Sequence, residues 1–319
     1  MRIKIWASKL LVILIVPFIL NSCQTGKIGI FESKGYEIDY DKKLKGKKVA
    51  LVIGNSSYNE SIGSLNSAVN DAESISSKLK EMDFFVIKRT NLTKSRLQDT
   101  IEDFAEKVEG AEFALIYYSG HGFAMQGVNY IVPVDGDIKS LADVSRRFVD
   151  VASLVKAAKY KNSNRRTLLI LDACRNNPFA DILRRDGVEE AVLVTAGTKA
   201  LDIGIKRGEK SSIGLAAWGA EQFTQLAVAF ATSPGRVAYD SGRSDNSPYT
   251  AALLNRIGEP VSLNDMLSYV REDVLNETNG KQSPWETKGL SSTFLVGERI
   301  NLEKRVIKTG FILGPPPPP

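Results

Sequence analysis

The chain has 319 residues, of which 43% are hydrophobic and 25% charged, a balance typical of a globular protein with one large domain or two ordinary ones. The net charge of +5 is modest. The basic residues are scattered in short clusters and form no long stripe, which argues against nucleic acid as a partner.

The N-terminal segment has the pattern of an export signal. Arg2, Lys4 and Lys9 precede an uninterrupted apolar run over residues 10–20, and no acidic residue occurs before Glu32. A basic stretch followed by an apolar one is typical of a signal peptide. The alternative is a transmembrane anchor, but the run is shorter than the about 20 apolar residues that span a bilayer.

The sequence LNSC at residues 20–23 resembles a bacterial lipobox. This resemblance makes residues 1–22 a signal peptide, Cys23 the lipidated first residue of the mature protein, and residues 23–45 a polar tether. Several acyl chains on one N-terminus anchor a protein stably, whereas a single chain binds only marginally. Gln24 suits sorting to an outer membrane, where the cell has one. We therefore expect a lipid-anchored protein of the bacterial envelope that faces the periplasm or the cell surface.

From Lys47 onward, strand and helix patterns alternate. The continuous apolar run KKVALVIG predicts a strand over residues 47–54 that is buried on both faces. The predicted elements that follow are a helix over 66–82, a strand over 84–89, a helix over 93–108 with Thr93 as its N-cap, a strand over 112–120, a short outlying strand over 129–135, a helix over 149–160 and a strand over 167–173.

The second half of the chain begins with a stretch of mixed charge and no clean period. This pattern predicts a long loop with partial helix over residues 180–223. The later elements are a strand over 225–232, helices over 247–257 and 262–278, a sixth strand over 292–296, and a tail over 298–319 that ends in PPPPP. The alternation predicts an α/β fold with a mostly parallel six-stranded sheet and helices on both faces. In such sheets the chemistry lies beyond the carboxyl ends of the strands.

Two of these predicted strands end in residues that suit catalysis. The motif YYSGHG at 117–122 contains His121, which is the only histidine, and LDACRNN at 171–177 contains Cys174, one of two cysteines. An imidazole beside a thiol can activate it, because a free thiol with a pKa of about 8.5 is mostly protonated at neutral pH. If Cys23 is acylated, Cys174 has no intramolecular partner. Singly, each residue could be structural; together, at neighbouring strand ends, they indicate a site.

The motifs in this region resemble those of the caspase-like cysteine peptidases, most closely the bacterial metacaspase and paracaspase branch. They occur in the family's order from about residue 48 to residue 296, and His121 precedes Cys174 by about 50 residues, as in caspases. The motifs are ALVIGNSSY at 50–58, YYSGHG at 117–122, VPVD at 132–135, LLILDACRNNPF at 168–179, FATSPGRVAYD at 230–240, NSPYTAALL at 246–254 and QSPWE at 282–286.

The resemblance implies a caspase-like three-layer sandwich over residues 46–297. Its large-subunit-like part covers 46–179, the linker 180–223 and the small-subunit-like part 224–297. It also implies hydrolysis of peptide bonds, with a dyad and an oxyanion hole but no metal or organic cofactor; dependence on calcium stays open. The assigned groups are the His121 general base, the Cys174 nucleophile, and the backbone N–H groups of Gly122 and Cys174. Gly120 and Gly122 are expected to let the backbone approach the substrate.

Three acids match the paracaspase-like pocket for the residue that precedes the cut. They are Asp71, Asp172 and Asp240, and Asp172 lies two residues before Cys174, so both side chains leave the strand on the same side. Such a pocket selects substrates with Arg or Lys and repels Asp. The alternatives are an exposed helix acid for Asp71 and an internally paired strand-end acid for Asp172.

The linker carries basic residues that the same pocket would accept. We therefore expect self-cleavage at one of them, although a solvated loop explains the charges equally well. A second class of function stays open, namely a membrane-tethered binding or scaffold module with vestigial proteolysis. The candidate cleavage positions are Arg184, Arg185, Lys199, Lys206, Arg207 and Lys210.

Overall fold

The computed structural model describes residues 36–37, 48–125, 128–174, 179–187, 224–233, 238–240, 245–291 and 294–297. Its strands are β1 (Tyr36–Glu37), β2 (Lys48–Gly54), β3 (Phe85–Thr90), β4 (Phe113–Met125), β5 (Val128–Ile131), β6 (Val149–Asp150), β7 (Arg166–Cys174), β8 (Leu226–Phe230) and β9 (Trp285–Gly289). Its helices are α1 (Ala68–Glu81), α2 (Lys94–Lys107), α3 (Val144–Arg147), α4 (Val151–Ala158), α5 (Ala180–Arg185), α6 (Pro248–Arg256) and α7 (Leu263–Glu277).

The central sheet has the parallel strand order β3-β2-β4-β7-β8. An antiparallel strand, β9, completes one edge, and the two-residue β1 pairs antiparallel with β3 at the other. β5 and β6 lie off this path and pair antiparallel with the end of β4 and with each other. The predicted α/β fold, with a mostly parallel sheet of six main strands, is confirmed.

Helices cover both faces of the sheet, which explains why the central strands are continuous apolar runs. All of β2 is buried. Its alternate residues enter different cores: Ala50 and Val52 pack with residues of α1, α6 and α7, whereas Leu51 and Ile53 pack with residues of α2 and α4. This is the period of two expected of a strand between two layers.

The N-terminal boundaries of the helices follow from capping side chains. Thr93 accepts a hydrogen bond from the Arg96 N–H at the start of α2, as predicted. Ser247 accepts from the Thr250 N–H at the start of α6, and Ser262 accepts from the Asp265 N–H at the start of α7. Ser247 therefore fixes the position of α6 at the carboxyl end of the sheet.

The predicted strand over 292–296 is wrong in the part that the structure describes. The side chains of Phe294 and Val296 are buried in the core, but the backbone of these residues does not pair with a strand. The Phe294 carbonyl accepts a hydrogen bond from the Leu263 N–H at 2.9 Å, which ties this segment to the start of α7. The sixth main strand is β9 instead. Its sequence WETKG has half-exposed side chains typical of an edge strand, so hydrophobicity gave no signal.

The strand that carries His121 is longer than predicted. β4 does not end at residue 120 but continues to Met125 and forms a hairpin with β5, so His121 lies within a strand. The predicted helix over 149–160 begins only at Val151, because residues 149–150 form β6.

The predicted signal peptide, Cys23, most of the tether, residues 188–223 and the C-terminal tail lie outside the described residues. Of the tether, the structure describes only β1. No helix within the described ranges combines the length and apolar character needed to cross a membrane.

Candidate active site

His121 and Cys174 lie side by side at the carboxyl end of the sheet. β4 and β7 are neighbouring parallel strands, and their register pairs residue 119 with 172, 120 with 173, and His121 with Cys174. The parallel pairing thus brings the two predicted residues together, as their positions at the ends of two strands suggested.

The His121 imidazole is oriented by a backbone carbonyl. Its Nε2 lies 2.8 Å from the carbonyl oxygen of Gly63, in the loop between β2 and α1. Because a carbonyl only accepts, Nε2 carries the proton of the neutral ring, and Nδ1 keeps a free lone pair. Burial lowers the His121 pKa, against smaller opposing effects of the Gly63 carbonyl and the Asp240 charge. The neutral ring is therefore favoured.

The sequence indicates no third catalytic residue that would orient the His121 imidazole. In the structure the Gly63 carbonyl takes that place. A backbone carbonyl has no side-chain identity and leaves no motif. The available signal was the glycine itself, which adopts a φ of +89° in this turn.

The Gly122 N–H faces the strand that ends at Cys174. Ser119 and His121 direct their carbonyls to the other edge of β4, where they accept from the N–H groups of Asn55 and Val132 at 2.9 and 3.0 Å. Alternate residues of a strand point their backbone groups to opposite edges. The N–H of Gly122 is therefore directed toward β7, which suits the predicted oxyanion hole.

Gly120 has a packing role within the site. A Cβ at this position would lie 2.6 Å from the Tyr118 hydroxyl and 2.7 Å from the Tyr58 hydroxyl. Such distances are too short for real contacts, so only glycine fits beneath the two tyrosines.

Asp71 is fully buried, so the alternative of an exposed helix acid is wrong. Its carboxylate accepts from the hydroxyls of Ser67 and Ser119 at 3.2 and 3.0 Å. It also accepts from the Asn246 side chain at 3.0 Å and the Ser247 N–H at 2.9 Å. Burial raises the Asp71 pKa despite these hydrogen bonds.

Asp172 is also buried, at 5% exposure, and its donors among the described residues are hydroxyls. These belong to Ser247 at 2.5 Å, Thr250 at 2.6 Å and Tyr117 at 3.4 Å. Burial, together with the charge of Asp71, raises the pKa of Asp172 to about 7. Among the described residues, no Lys or Arg pairs with either carboxylate.

Ser247 links the two acids, since its N–H donates to Asp71 and its hydroxyl to Asp172. Two neighbouring carboxylates with raised pKa values hold a proton between them more readily than either would alone. A cation that entered beside them would replace that proton.

Asp240 joins this cluster from the loop after β8. Its carboxylate accepts from the backbone N–H groups of Asn66 and Ser67 at 2.6 and 3.1 Å, just before α1. It also lies 3.0 Å from the Ser67 hydroxyl, which is 3.2 Å from Asp71. The structure therefore brings together the three acids that the resemblance singled out.

Gln282 is a further residue that the sequence did not assign, although it lies in the motif QSPWE. Its side chain is completely buried, donates to the Ala231 carbonyl and accepts from the Tyr239 N–H, both at 3.0 Å. It thus spans the loop between the end of β8 and Asp240 and fixes the position of that acid.

Arg184 and Arg185 lie in α5, a short helix at the start of the stretch for which partial helix was predicted. The Leu183 side chain is fully buried and anchors this helix, and the Arg185 guanidinium donates to the Lys139 carbonyl at 2.7 Å. Cleavage after either arginine would require α5 to unwind. The other candidates, Lys199, Lys206, Arg207 and Lys210, lie outside the described residues.

Comparison with known proteins relates this chain to one family. The sequence profile of the caspase domain matches residues 47–295. The chain is 25% identical over 248 residues to the human mucosa-associated lymphoid tissue lymphoma translocation protein 1, an alignment that covers 76% of this chain and 26% of the relative.

Two further relatives align with shorter stretches. The mouse homolog of the same protein is 30% identical over 154 residues, which cover 48% of this chain and 18% of the relative. Caspase a of Danio rerio is 33% identical over 114 residues, which cover 34% and 29%. The chain spans less than a third of the length of each of these relatives.

Proposed function

The chain belongs to the caspase domain family of cysteine proteases, and from that premise we propose that it is an endopeptidase that cuts after Arg or Lys through a His121–Cys174 dyad. The observation that carries this proposal is the register of β4 and β7, which sets His121 opposite Cys174. Nearby lies a pair of buried acids that no Lys or Arg of the described residues neutralises.

The chemistry follows from the protonation state of His121. Nδ1 accepts the thiol proton of Cys174, and the thiolate attacks the carbonyl carbon of the scissile bond. The N–H groups of Gly122 and Cys174 stabilise the resulting oxyanion. The imidazolium, steadied by the Gly63 carbonyl, protonates the leaving amine. A water molecule, deprotonated by His121, then hydrolyses the thioester and frees Cys174.

Selectivity comes from the acids. Asp71 and Asp172 are held by hydroxyl and amide donors, which leaves their negative charge without a cation among the described residues. A guanidinium or ammonium group would supply that cation, together with charge-assisted hydrogen bonds. An Asp side chain in the same place would add a third negative charge to a buried pair, so caspase-type substrates are excluded. The proposed partners are therefore proteins or peptides with basic residues.

No described group of three or more His, Cys, Asp or Glu side chains is arranged to hold a metal ion. The proposed steps need only protein groups and water.

Self-processing tests the nucleophile and the selectivity in one measurement. We expect purified wild-type protein to be cut after Lys199, Lys206, Arg207 or Lys210, and the Cys174→Ala chain to stay intact. Mass spectrometry of both proteins identifies the cut. A cut after Asp, or the same cut in Cys174→Ala, would contradict the proposed function. An intact wild-type chain that hydrolyses Arg peptides would contradict the processing alone.

Attachment to the membrane is the proposed role of Cys23. Because the apolar run over 10–20 is too short to span a bilayer, Cys23→Ser should release the protein from membranes or stall its processing. The matched control is Cys174→Ala, which removes the other cysteine and should remain membrane-bound. Fractionation and N-terminal sequencing decide the question. A Cys23→Ser protein that stays in membranes with the wild-type N-terminus would indicate a helical anchor.

A further inference from the structure

The peptide group of His121 departs from regular strand pairing. The Val132 N–H donates to the His121 carbonyl at 3.0 Å, which extends the β4–β5 ladder by one residue. Regular antiparallel pairing would return a bond from the His121 N–H to the Val132 carbonyl. Instead the His121 N–H donates to the Tyr58 hydroxyl at 3.0 Å, and that hydroxyl donates to the Val132 carbonyl at 3.1 Å. A tyrosine hydroxyl is inserted into the ladder at the residue that carries the imidazole.

A second buried tyrosine holds the other side of the same residue. The Tyr118 hydroxyl donates to the His121 carbonyl at 2.7 Å and lies 3.3 Å from the Tyr58 hydroxyl. Both side chains are buried, and desolvation raises the pKa of Tyr58 to about 12. Tyr58 therefore stays protonated and able to donate. The space for the two hydroxyls exists because residue 120 is glycine.

The Tyr58 ring also contacts the imidazole directly. The two rings meet edge to face, with centroids 4.6 Å apart. Tyr58 belongs to the loop between β2 and α1, the same loop whose Gly63 carbonyl binds Nε2. One loop thus fixes His121 through its peptide N–H, its ring face and its ring nitrogen. The Asp240 carboxylate also acts on the imidazole, through its charge.

We propose that Tyr58 and Tyr118 are positioning residues for catalysis, whose hydroxyls replace one rung of the β4–β5 ladder and thereby hold the His121 imidazole against the Gly63 carbonyl. This role rests on the proposed function of His121 as general base. Neither tyrosine contacts the acids Asp71 and Asp172, so the hydroxyls act on the chemical step and not on recognition of the substrate.

The test is Tyr58→Phe, which keeps the ring contact and removes only the hydroxyl. Without it, the His121 N–H lacks its acceptor, the ladder can close, and the imidazole moves away from Gly63. Displacing a catalytic group by about 1 Å can cost roughly 100-fold in rate. We expect kcat for an Arg peptide to fall about 10- to 100-fold with KM little changed. Tyr130→Phe is the control, since it removes a tyrosine hydroxyl from the same hairpin without touching His121.

A second readout does not depend on activity. His121 is the only histidine, so a single imidazole signal reports its pKa by NMR titration. The wild-type pKa should lie below about 6.5, and in Tyr58→Phe it should move toward that ordinary value as the ring leaves its buried position. Tyr118→Phe should also lower kcat and raise the imidazole pKa. It replaces Tyr58→Phe in the test if that variant does not fold.

The two readouts separate this inference from the proposed function. A Tyr58→Phe enzyme with wild-type kcat, or with a lower kcat but an unshifted imidazole pKa, would overturn the positioning role. A wild-type protein that cleaves no peptide would overturn the proposed function, and the titration would still decide whether the tyrosines hold the ring.

Discussion

Replacement of Cys174 by alanine is expected to abolish hydrolysis of a peptide that has Arg before the scissile bond. No other group in the proposed site can form the thioester, so only the much weaker catalysis by the remaining base and oxyanion hole should persist. His121→Ala keeps the nucleophile but loses the base, and kcat/KM should fall by about 100- to 10,000-fold. Steady-state rates on one fluorogenic Arg peptide measure both effects.

Both substitutions should leave the fold intact, because the two residues lie at the carboxyl end of the paired strands and the ladder itself is made by backbone groups. Thermal unfolding compared with the wild type is the control. Full activity in either variant would contradict the dyad. A folded wild-type chain that hydrolyses no peptide, while binding a partner at the envelope, would favour the scaffold alternative.

Asp172→Asn should produce the second large effect, on selectivity for charge. A hydrogen bond to a charged group contributes about 1.5–3 kcal/mol, so the preference for Arg should fall roughly 10- to 100-fold. The informative comparison is between Arg and citrulline, which have the same shape but differ in charge. The ratio of their kcat/KM values cancels the titration of the dyad, because both substrates use the same His121 and Cys174.

The pH dependence of that ratio follows from the pKa of about 7 at Asp172. Below this pKa the acid is protonated and cannot pair with a cation, so the wild-type ratio of Arg to citrulline should rise as pH increases through about 7. In Asp172→Asn the ratio should be lower and nearly flat. The control Asp99→Asn removes an exposed carboxylate from α2 and should leave both the ratio and its slope unchanged.

Asp172→Asn should lower the selectivity for Arg without lowering the free energy of unfolding. A carboxyl whose folded pKa lies above its unfolded value makes the folded state bind more protons, so stability decreases as pH rises from about 4 to 7. Asp172→Asn removes this loss of stability at higher pH, because an amide does not titrate. Its amide oxygen can still accept from the Ser247 and Thr250 hydroxyls. The free energy of unfolding at pH 8 should therefore be no lower than in the wild type. An unchanged Arg preference in a folded Asp172→Asn protein would contradict the proposed acidic pocket.

The parts of the fold that could be predicted from the sequence are those where burial imposes a pattern. β2 is apolar because helices cover both its faces, and α2 begins at Thr93 because that side chain caps it. β9 could not be predicted, since an edge strand buries little. The apolar run at 294–296 was misleading because core side chains do not require strand pairing.

The candidate site divides in the same way. The candidates His121, Cys174 and the three acids have reactive or charged side chains, and the resemblance to the caspase-like family pointed to their positions. The groups that orient them left weaker signals. Gly63 acts through a carbonyl, Tyr58 through a hydroxyl that enters a backbone ladder, and Gln282 through an amide that spans a loop. These roles depend on distances between segments far apart in the chain, which only the folded structure supplies.

In the proposed mechanism His121 activates the thiol of Cys174, and the pH dependence of alkylation measures this activation without any substrate. In the Cys23→Ser chain, Cys174 is the only thiol, since the sequence has two cysteines. The rate of its reaction with iodoacetamide should inflect well below the value of about 8.5 typical of a free thiol. Adding His121→Ala should return the inflection to about 8.5. The same inflection with and without His121 would contradict the dyad.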